Sequence, residues 1–208
     1  MALIHQTADI RPTKLELLEE WVPRQPWGRS AGGGPLERVG AYRFDDPAGE
    51  VGIETLLVRR GEGPVLQVPL TYRGAPLVGA DDALVGTMEH SVLGPRWIYD
   101  GCGDPVYVTA VLTAILTGGH QADEVLETDT GLVPRETTTL VSGSGGPRTA
   151  VPAIGSLSAA SDAHVSVIDA GPTTVVVRRV LDGEAADGAA TLRGRWPGQD
   201  TDVVLVTA

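Results

Sequence analysis

One run constrains this chain more than any other. "DPVYVTAVLTAILTGG", from Asp104 to Gly119, is the longest uninterrupted helical pattern in the sequence. An aspartate followed by proline is a strong helix start. The carboxylate accepts a backbone N–H that has no partner within the helix, and proline at the first position has no N–H to leave unpaired. Val106, Val108, Val111, Leu112, Ile115 and Leu116 leave little polar circumference, so this helix must be buried, and Gly118 and Gly119 stop it. The rest of the chain reads mainly as β-structure, which places it in the α+β class.

A second, shorter helix is expected at "KLELLEEWV". Leu15, Leu18, Trp21 and Val22 recur at helical spacing, Thr13 and Glu16 form a capping-box pattern, and Pro23 and Pro26 end the run. After the Gly-rich loop "SAGGGP" come three strand-like segments, Leu36 to Phe44, Gly52 to Arg60 and Val65 to Arg73, the first two joined by the turn "DDPAGE". In the third, Leu66, Val68, Leu70 and Tyr72 share one face opposite Val65, Gln67 and Thr71. Pro69 cannot donate to a ladder, which predicts an edge or a bulge there. A further strand at "ALVGTMEHSV" precedes "GPRWIYDG". The acidic "QADEVLETDT", residues 121–130, reads as a linker or surface turn, and short β-rich pieces split by Gly, Pro and Asp follow. The expected organisation is an α+β unit over residues 1–120 and a β-rich unit over 121–208.

Charge narrows the function classes. A net charge of −11 argues against nucleic acid or an anionic membrane as partner, since both are held by basic surfaces. No run approaches the length of a membrane span. The first residues lack the basic and long apolar regions of a signal peptide. A lone cysteine, Cys102, cannot make an intramolecular disulfide. A cytoplasmic protein is expected. Lys14 is the only lysine among sixteen basic residues, a usage typical of high-GC bacterial genomes.

"MEHSVLGPRWIYDGCGDPVYV", Met88 to Val108, gathers a histidine, a tryptophan, two tyrosines, Cys102 and several carboxylates into one segment, which suggests catalysis. Cys102 needs an adjacent base to act as a nucleophile; between two glycines it reads as a small, replaceable loop filler. The local pattern assigns Gly94 and Pro95 to a turn, Trp97 and Tyr99 to strand packing, and Asp104 with Pro105 to the helix start. His5, His90, His120 and His164 show no metal-ligand spacing, and neither metal nor cofactor is expected. Asp45, Asp46, Glu50 and Glu54 flank a hairpin and Asp81 and Asp82 a loop, where such residues are usually solvated. "VSGSGGPR", Val141 to Arg148, looks like a phosphate cradle but lacks the Lys-Ser/Thr ending, and reads as a flexible hairpin loop. No G-x-S-x-G elbow occurs.

"PTKLELLEEW" with "QPW", then "QVPLTYRG" and "IYDGCGDPVYV", resemble in order and spacing the N-terminal cap domain of bacterial maltokinases and related actinobacterial aminosugar kinases, over roughly the first 118 residues. The resemblance implies a cystatin-like fold, one helix on a curved antiparallel sheet. In those kinases a kinase-like N-lobe follows the cap and carries an ATP-binding lysine. "SDAHVSVIDAGPTTVVVRRVLDG" resembles a remnant of that strand. With Arg178 and Arg179 at the family's arginine pair, Val175 stands where the lysine belongs. No catalytic-loop H-x-D or D-F-G-like motif occurs in these residues, so a complete kinase is not expected here.

The expectation is therefore a non-catalytic, cap-like accessory protein linked to trehalose, maltose and α-glucan metabolism, with a sugar kinase or α-glucan enzyme as partner. Trp27, Arg29, Arg96 and Trp97 are its expected exposed contact residues, because Trp and Arg are enriched in binding hot spots. The alternative is a carbohydrate-binding or carbohydrate-processing module stacking sugar on Trp97, Tyr99 and Tyr107, with Asp100 or Asp104 as polar partner. An enzymatic version using Asp45, Glu50, Glu54 and His90 has no supporting motif. Local pattern leaves His90 and Arg96 without a structural role.

Overall fold

The computed structural model describes residues 2–5, 9–30, 32–128, 131–182 and 190–208. Strand (46%) outweighs helix (17%), which sets the molecule at the β-rich end of the α+β class. An antiparallel six-stranded sheet runs in the order β2 (Ile10–Arg11), β6 (Leu84–His90), β7 (Gly94–Asp100), β5 (Leu66–Arg73), β4 (Gly52–Arg60), β3 (Leu36–Phe44). A second has the order β10 (Leu140–Gly143), β14 (Thr191–Trp196), β15 (Gln199–Thr207), β13 (Thr174–Arg178), β12 (Val165–Asp169), β11 (Ser158–Ser161). A small third sheet joins β1 (Ala2–His5), parallel to β8 (Glu124–Thr128), and β9 (Gly131–Arg135).

β4 and β5, at the centre of the first sheet, are buried on both faces, which is more than the alternation read in β5 implies, since alternation by itself argues one buried face. Leu56, Val58, Leu66, Val68 and Leu70 pack with Leu18, Trp21 and Val22, which come from helix α1 (Lys14–Trp21) and the turn after it. Thr13 and Glu16 close the capping box of α1. Pro23 and Pro26 do not release the chain. It continues in two 3-10 turns, Val22–Arg24 and Trp27–Ser30, and Trp27 folds back edge-on to Trp21 at 5.5 Å. On the opposite face Tyr42, Phe44, Ile53 and Leu57 share one core with helix α2 (Pro105–Thr117) and with Val175, Val177, Leu192 and Leu205 of the second sheet.

Pro69 lies in a central strand, not an edge strand, and the ladder explains how. The Gln67 amide points away from β4, donating to the Arg179 carbonyl at 2.8 Å. Strand alternation points the Pro69 nitrogen the same way. The pairing with β7 begins only at Leu70, and the isolated bridge to Val180 sits at Leu66. Proline thus occupies the one gap in that side of the ladder.

Asp104 caps α2 through the Val106 amide, and Gly118 ends it with φ +72 in the left-handed region. The Gly-rich segment after β10 is held rather than loose. Its Gly145 and Gly146 amides donate to the Ile115 and Leu116 carbonyls, which lack partners within the helix. A side chain at Gly143 would meet the Ala114 carbonyl oxygen at 1.9 Å, so glycine is required for this approach. Those amides are spent on a helix end and cradle no phosphate. The acidic stretch expected as linker contains strand β8 instead; residues 129–130 lie outside the described ones. Val125 is buried there, and Glu124 is also buried because Arg43 and Arg135 lie at 3.6 and 3.5 Å.

Candidate functional site

The segment that suggests catalysis is a buried joint. Arg179, directly after β13, is wholly inaccessible and reaches across to the first sheet. Its guanidinium donates to Asp100 at 2.5 Å, to Cys102 Sγ at 3.0 Å and, through Nε, to Ser166 Oγ at 2.7 Å. The Trp27 ring lies 4.9 Å from the same group, a cation–π contact. Burial disfavours the charged guanidinium, but Asp100 and the neighbouring hydrogen bonds more than offset it and raise its pKa. Burial pushes the Cys102 thiol well up, so at neutral pH it is a thiol and a poor nucleophile. It is also less replaceable than a loop filler, since it accepts a hydrogen bond from Arg179.

Gln67 extends the joint. Its side-chain amide donates to the carbonyls of Arg178 and Leu205 at 2.8 and 3.0 Å, and its oxygen accepts from the Tyr42 hydroxyl at 3.0 Å. Asp104 is consumed as well. It takes a two-point ion pair from Arg73, both contacts at 2.7 Å, a hydrogen bond from Thr71 and the α2 capping bond.

These contacts correct several expectations. Trp27 is not an exposed hot spot; it is buried between Trp21 and Arg179. Tyr99 and Tyr107 offer no sugar platform, since both are buried, and the Tyr99 hydroxyl accepts the Leu77 amide at 2.8 Å. Asp100 serves the joint, and Asp104 is taken up by Arg73, Thr71 and the α2 cap. Arg29 is exposed, whereas Trp97 is half-buried opposite Arg73 and Thr87.

The two residues without a local role, His90 and Arg96, line one cleft of about 580 Å³ together with Lys14, Arg43, Asp45, Asp46, Glu50 and Tyr72. That volume is ordinary for a small-molecule site. Behind it Glu54, 2% exposed, joins Lys14 at 2.5 Å, Arg43 at 2.8 Å and the Tyr72 hydroxyl at 2.8 Å. Burial raises the Glu54 carboxyl, but Lys14 and Arg43 outweigh it and hold the group below the usual carboxylate range. Burial and the Glu54 charge push the Tyr72 phenol well up. His90 has a local duty too, since its Nδ1 accepts the Val92 and Leu93 amides at 3.3 and 3.2 Å. In the neutral ring this leaves the proton on Nε2. Arg96 donates to the Pro95 carbonyl and makes no ion pair among the described residues.

The cleft therefore sets donors (Lys14, Arg96, His90) and acceptors (Asp45, Glu50) around the apolar side chains of Phe44, Ile53 and Met88. Asp45 and Glu50 line it at the turn between β3 and β4, and Glu54 stands behind. The residues of the enzymatic reading thus converge here, but Glu54 is bound in ion pairs and Asp46 accepts the Ala48, Glu50 and Val51 amides of its own turn. No group of three or more His, Cys, Asp or Glu able to hold a metal occurs among the described residues, and none of their helices is long and apolar enough to cross a membrane. Sequence reasoning passed over Gln67, Tyr72, Lys14 and Arg43 as site residues. The available signal was Gln67, a polar residue at an inward position of a strand.

No curated protein matches the chain. Residues 21–104, from the end of α1 to the capping aspartate of α2, match the maltokinase N-terminal cap domain family, the same family that the strings of this region resemble.

Proposed function

We propose that this chain is a non-catalytic accessory protein built on a maltokinase-type cap and acting in maltose, trehalose and α-glucan metabolism by contacting a sugar kinase or α-glucan enzyme. The family match over residues 21–104 carries this reading. A cystatin-type description of the cap accords with α1 lying across the antiparallel sheet of β3 to β7, and a cytoplasmic setting goes with the reading. We take residues 1–120 and 121–208 as two units sharing a core. The second is a non-catalytic relative of a kinase N-lobe. Val175, at the place of the lysine, is buried against the shared core, where an uncompensated ammonium would be costly. The polar side chains of the joint support the non-catalytic part, because they are occupied in holding the two units together. The test is calorimetric titration of the purified chain with the purified sugar kinase and α-glucan enzymes of its own source. Saturable binding to one of them is expected; no binding to any of them overturns the reading.

One observation favours a second reading, a small-saccharide site in the cleft of Arg96. Donors and acceptors around an apolar floor suit neutral hydroxyls and C–H faces better than a simple anion or cation. Calorimetric titration with maltose and trehalose tests it. A saturable change that Arg96→Ala removes is expected; no change at millimolar sugar refutes it.

A further inference from the structure

We infer that the groove along the outer face of α2 docks a basic amphipathic segment of a partner protein, an inference that rests on the accessory reading above and names its contact surface. The groove, about 500 Å³, runs between α2 and the chain at residues 44–47 and 119–123. Its floor is made by α2 in a particular way. Thr109, Thr113 and Thr117 each donate their hydroxyl to the carbonyl four residues earlier, at 2.8, 2.7 and 2.7 Å. The hydroxyls are thereby spent on the helix, and methyl groups are left to the surface beside Val106 and Ala110. The one face of α2 that is polar by its letters thus presents an apolar stripe.

Charge identifies the occupant. Asp45, Asp46 and Asp123 line the groove, and no lysine or arginine occurs among its described lining residues. A second copy of this chain, itself at −11, meets like charge there. A segment with apolar residues on one face and Arg or Lys on the other satisfies both the stripe and the rim, the helix-in-groove mode of recognition.

The probe is a synthetic amphipathic peptide of Leu and Arg, compared with a Leu/Glu peptide and a Ser/Arg peptide, titrated into the full chain by fluorescence anisotropy. The Leu/Arg peptide is expected to bind saturably and to weaken with added salt. The Leu/Glu and Ser/Arg peptides are expected not to saturate. Thr113→Arg, which places bulk and positive charge on the stripe, is expected to abolish binding, and Asp45→Asn with Asp123→Asn to weaken it about tenfold at low salt. Circular dichroism of each variant checks that the fold is kept. Equal binding of the Ser/Arg peptide, or binding indifferent to Thr113→Arg in a folded variant, overturns the inference. A partner enzyme that binds the chain regardless of Thr113→Arg overturns it too, while leaving the accessory reading intact.

Discussion

The joint around Arg179 and the cleft around Arg96 use the same kinds of side chain to opposite ends. In the joint, Asp100, Cys102, Ser166 and Trp27 surround a guanidinium that no solvent reaches. In the cleft, Arg96 is half-buried, without an ion pair among the described residues, and faces an open space of about 580 Å³. The lesson is that density of reactive residue types along a chain says little about reactivity. What counts is whether their charges are already paired and whether anything outside can reach them; in the joint even Arg179 Nη1 and the Tyr107 hydroxyl, without a hydrogen-bond partner among the described residues, are sealed from solvent. The joint is rich in such groups because a charge buried between two sheets needs its partner beside it. The cleft draws its lining from six strands, the β3–β4 turn and a helix, so no single stretch of sequence looks like a site.

That contrast makes quantitative predictions. Arg179→Met leaves Asp100 without its cation and should cost about 3–5 kcal/mol of folding stability, the range for breaking a buried pair, read from urea unfolding. A loss below about 1 kcal/mol would mean the seam is held by apolar contact alone. Gln67→Leu strands the Arg178 and Leu205 carbonyls and the Tyr42 hydroxyl, and should cost about 1–3 kcal/mol in the same measurement.

The two regions also differ in pH response. The Glu54 carboxyl titrates lower in the folded chain than in the unfolded. Its contribution is whole above the ordinary carboxylate value of 4.5 and is lost as pH falls through the depressed folded value. Cys102, Tyr42 and Tyr107 shift upward, chiefly through burial. Their contribution is whole below the ordinary values of 9.0 and 10.0 and is lost as pH climbs from there toward the folded values. Urea midpoints should therefore fall on both sides, with Glu54→Gln flattening the acid limb and leaving the alkaline one in place. Arg96→Ala should change stability by no more than about 0.5 kcal/mol, as for a surface substitution, although it removes a cleft cation that has no ion pair among the described residues.

Much of the local structure was legible in the sequence. Thr13 with Glu16 and Asp104 with Pro105 announce their helices through bonds made within a few residues. The alternation of β5 marks a strand with one apolar face; the burial of Gln67 and Thr71 on its other face was not legible. What could not be read is the pairing of distant residues: Arg179 meets Asp100 across 79 positions and Gln67 meets Leu205 across 138, and no spacing rule covers such pairs. Strand β8 was obscured for a related reason. Its acids look solvated until Arg43 and Arg135 arrive from other strands to neutralise Glu124. His90 and Arg96, the residues that local pattern left over, turned out to share a cleft. Together with Asp45 and Glu50 of the β3–β4 turn, they were the signals of the cleft that the sequence offered.

The joint is a closed structural seam, and the single thiol of the chain reports on it directly. Cys102 is the only cysteine, buried against Arg179 with its pKa raised. Reaction with a chromogenic disulfide reagent at neutral pH should be negligible in the native chain and complete once urea unfolds it. The rate between those limits should follow the unfolded fraction. Rapid, stoichiometric reaction of the native protein would reveal an accessible thiolate in the joint and contradict the account.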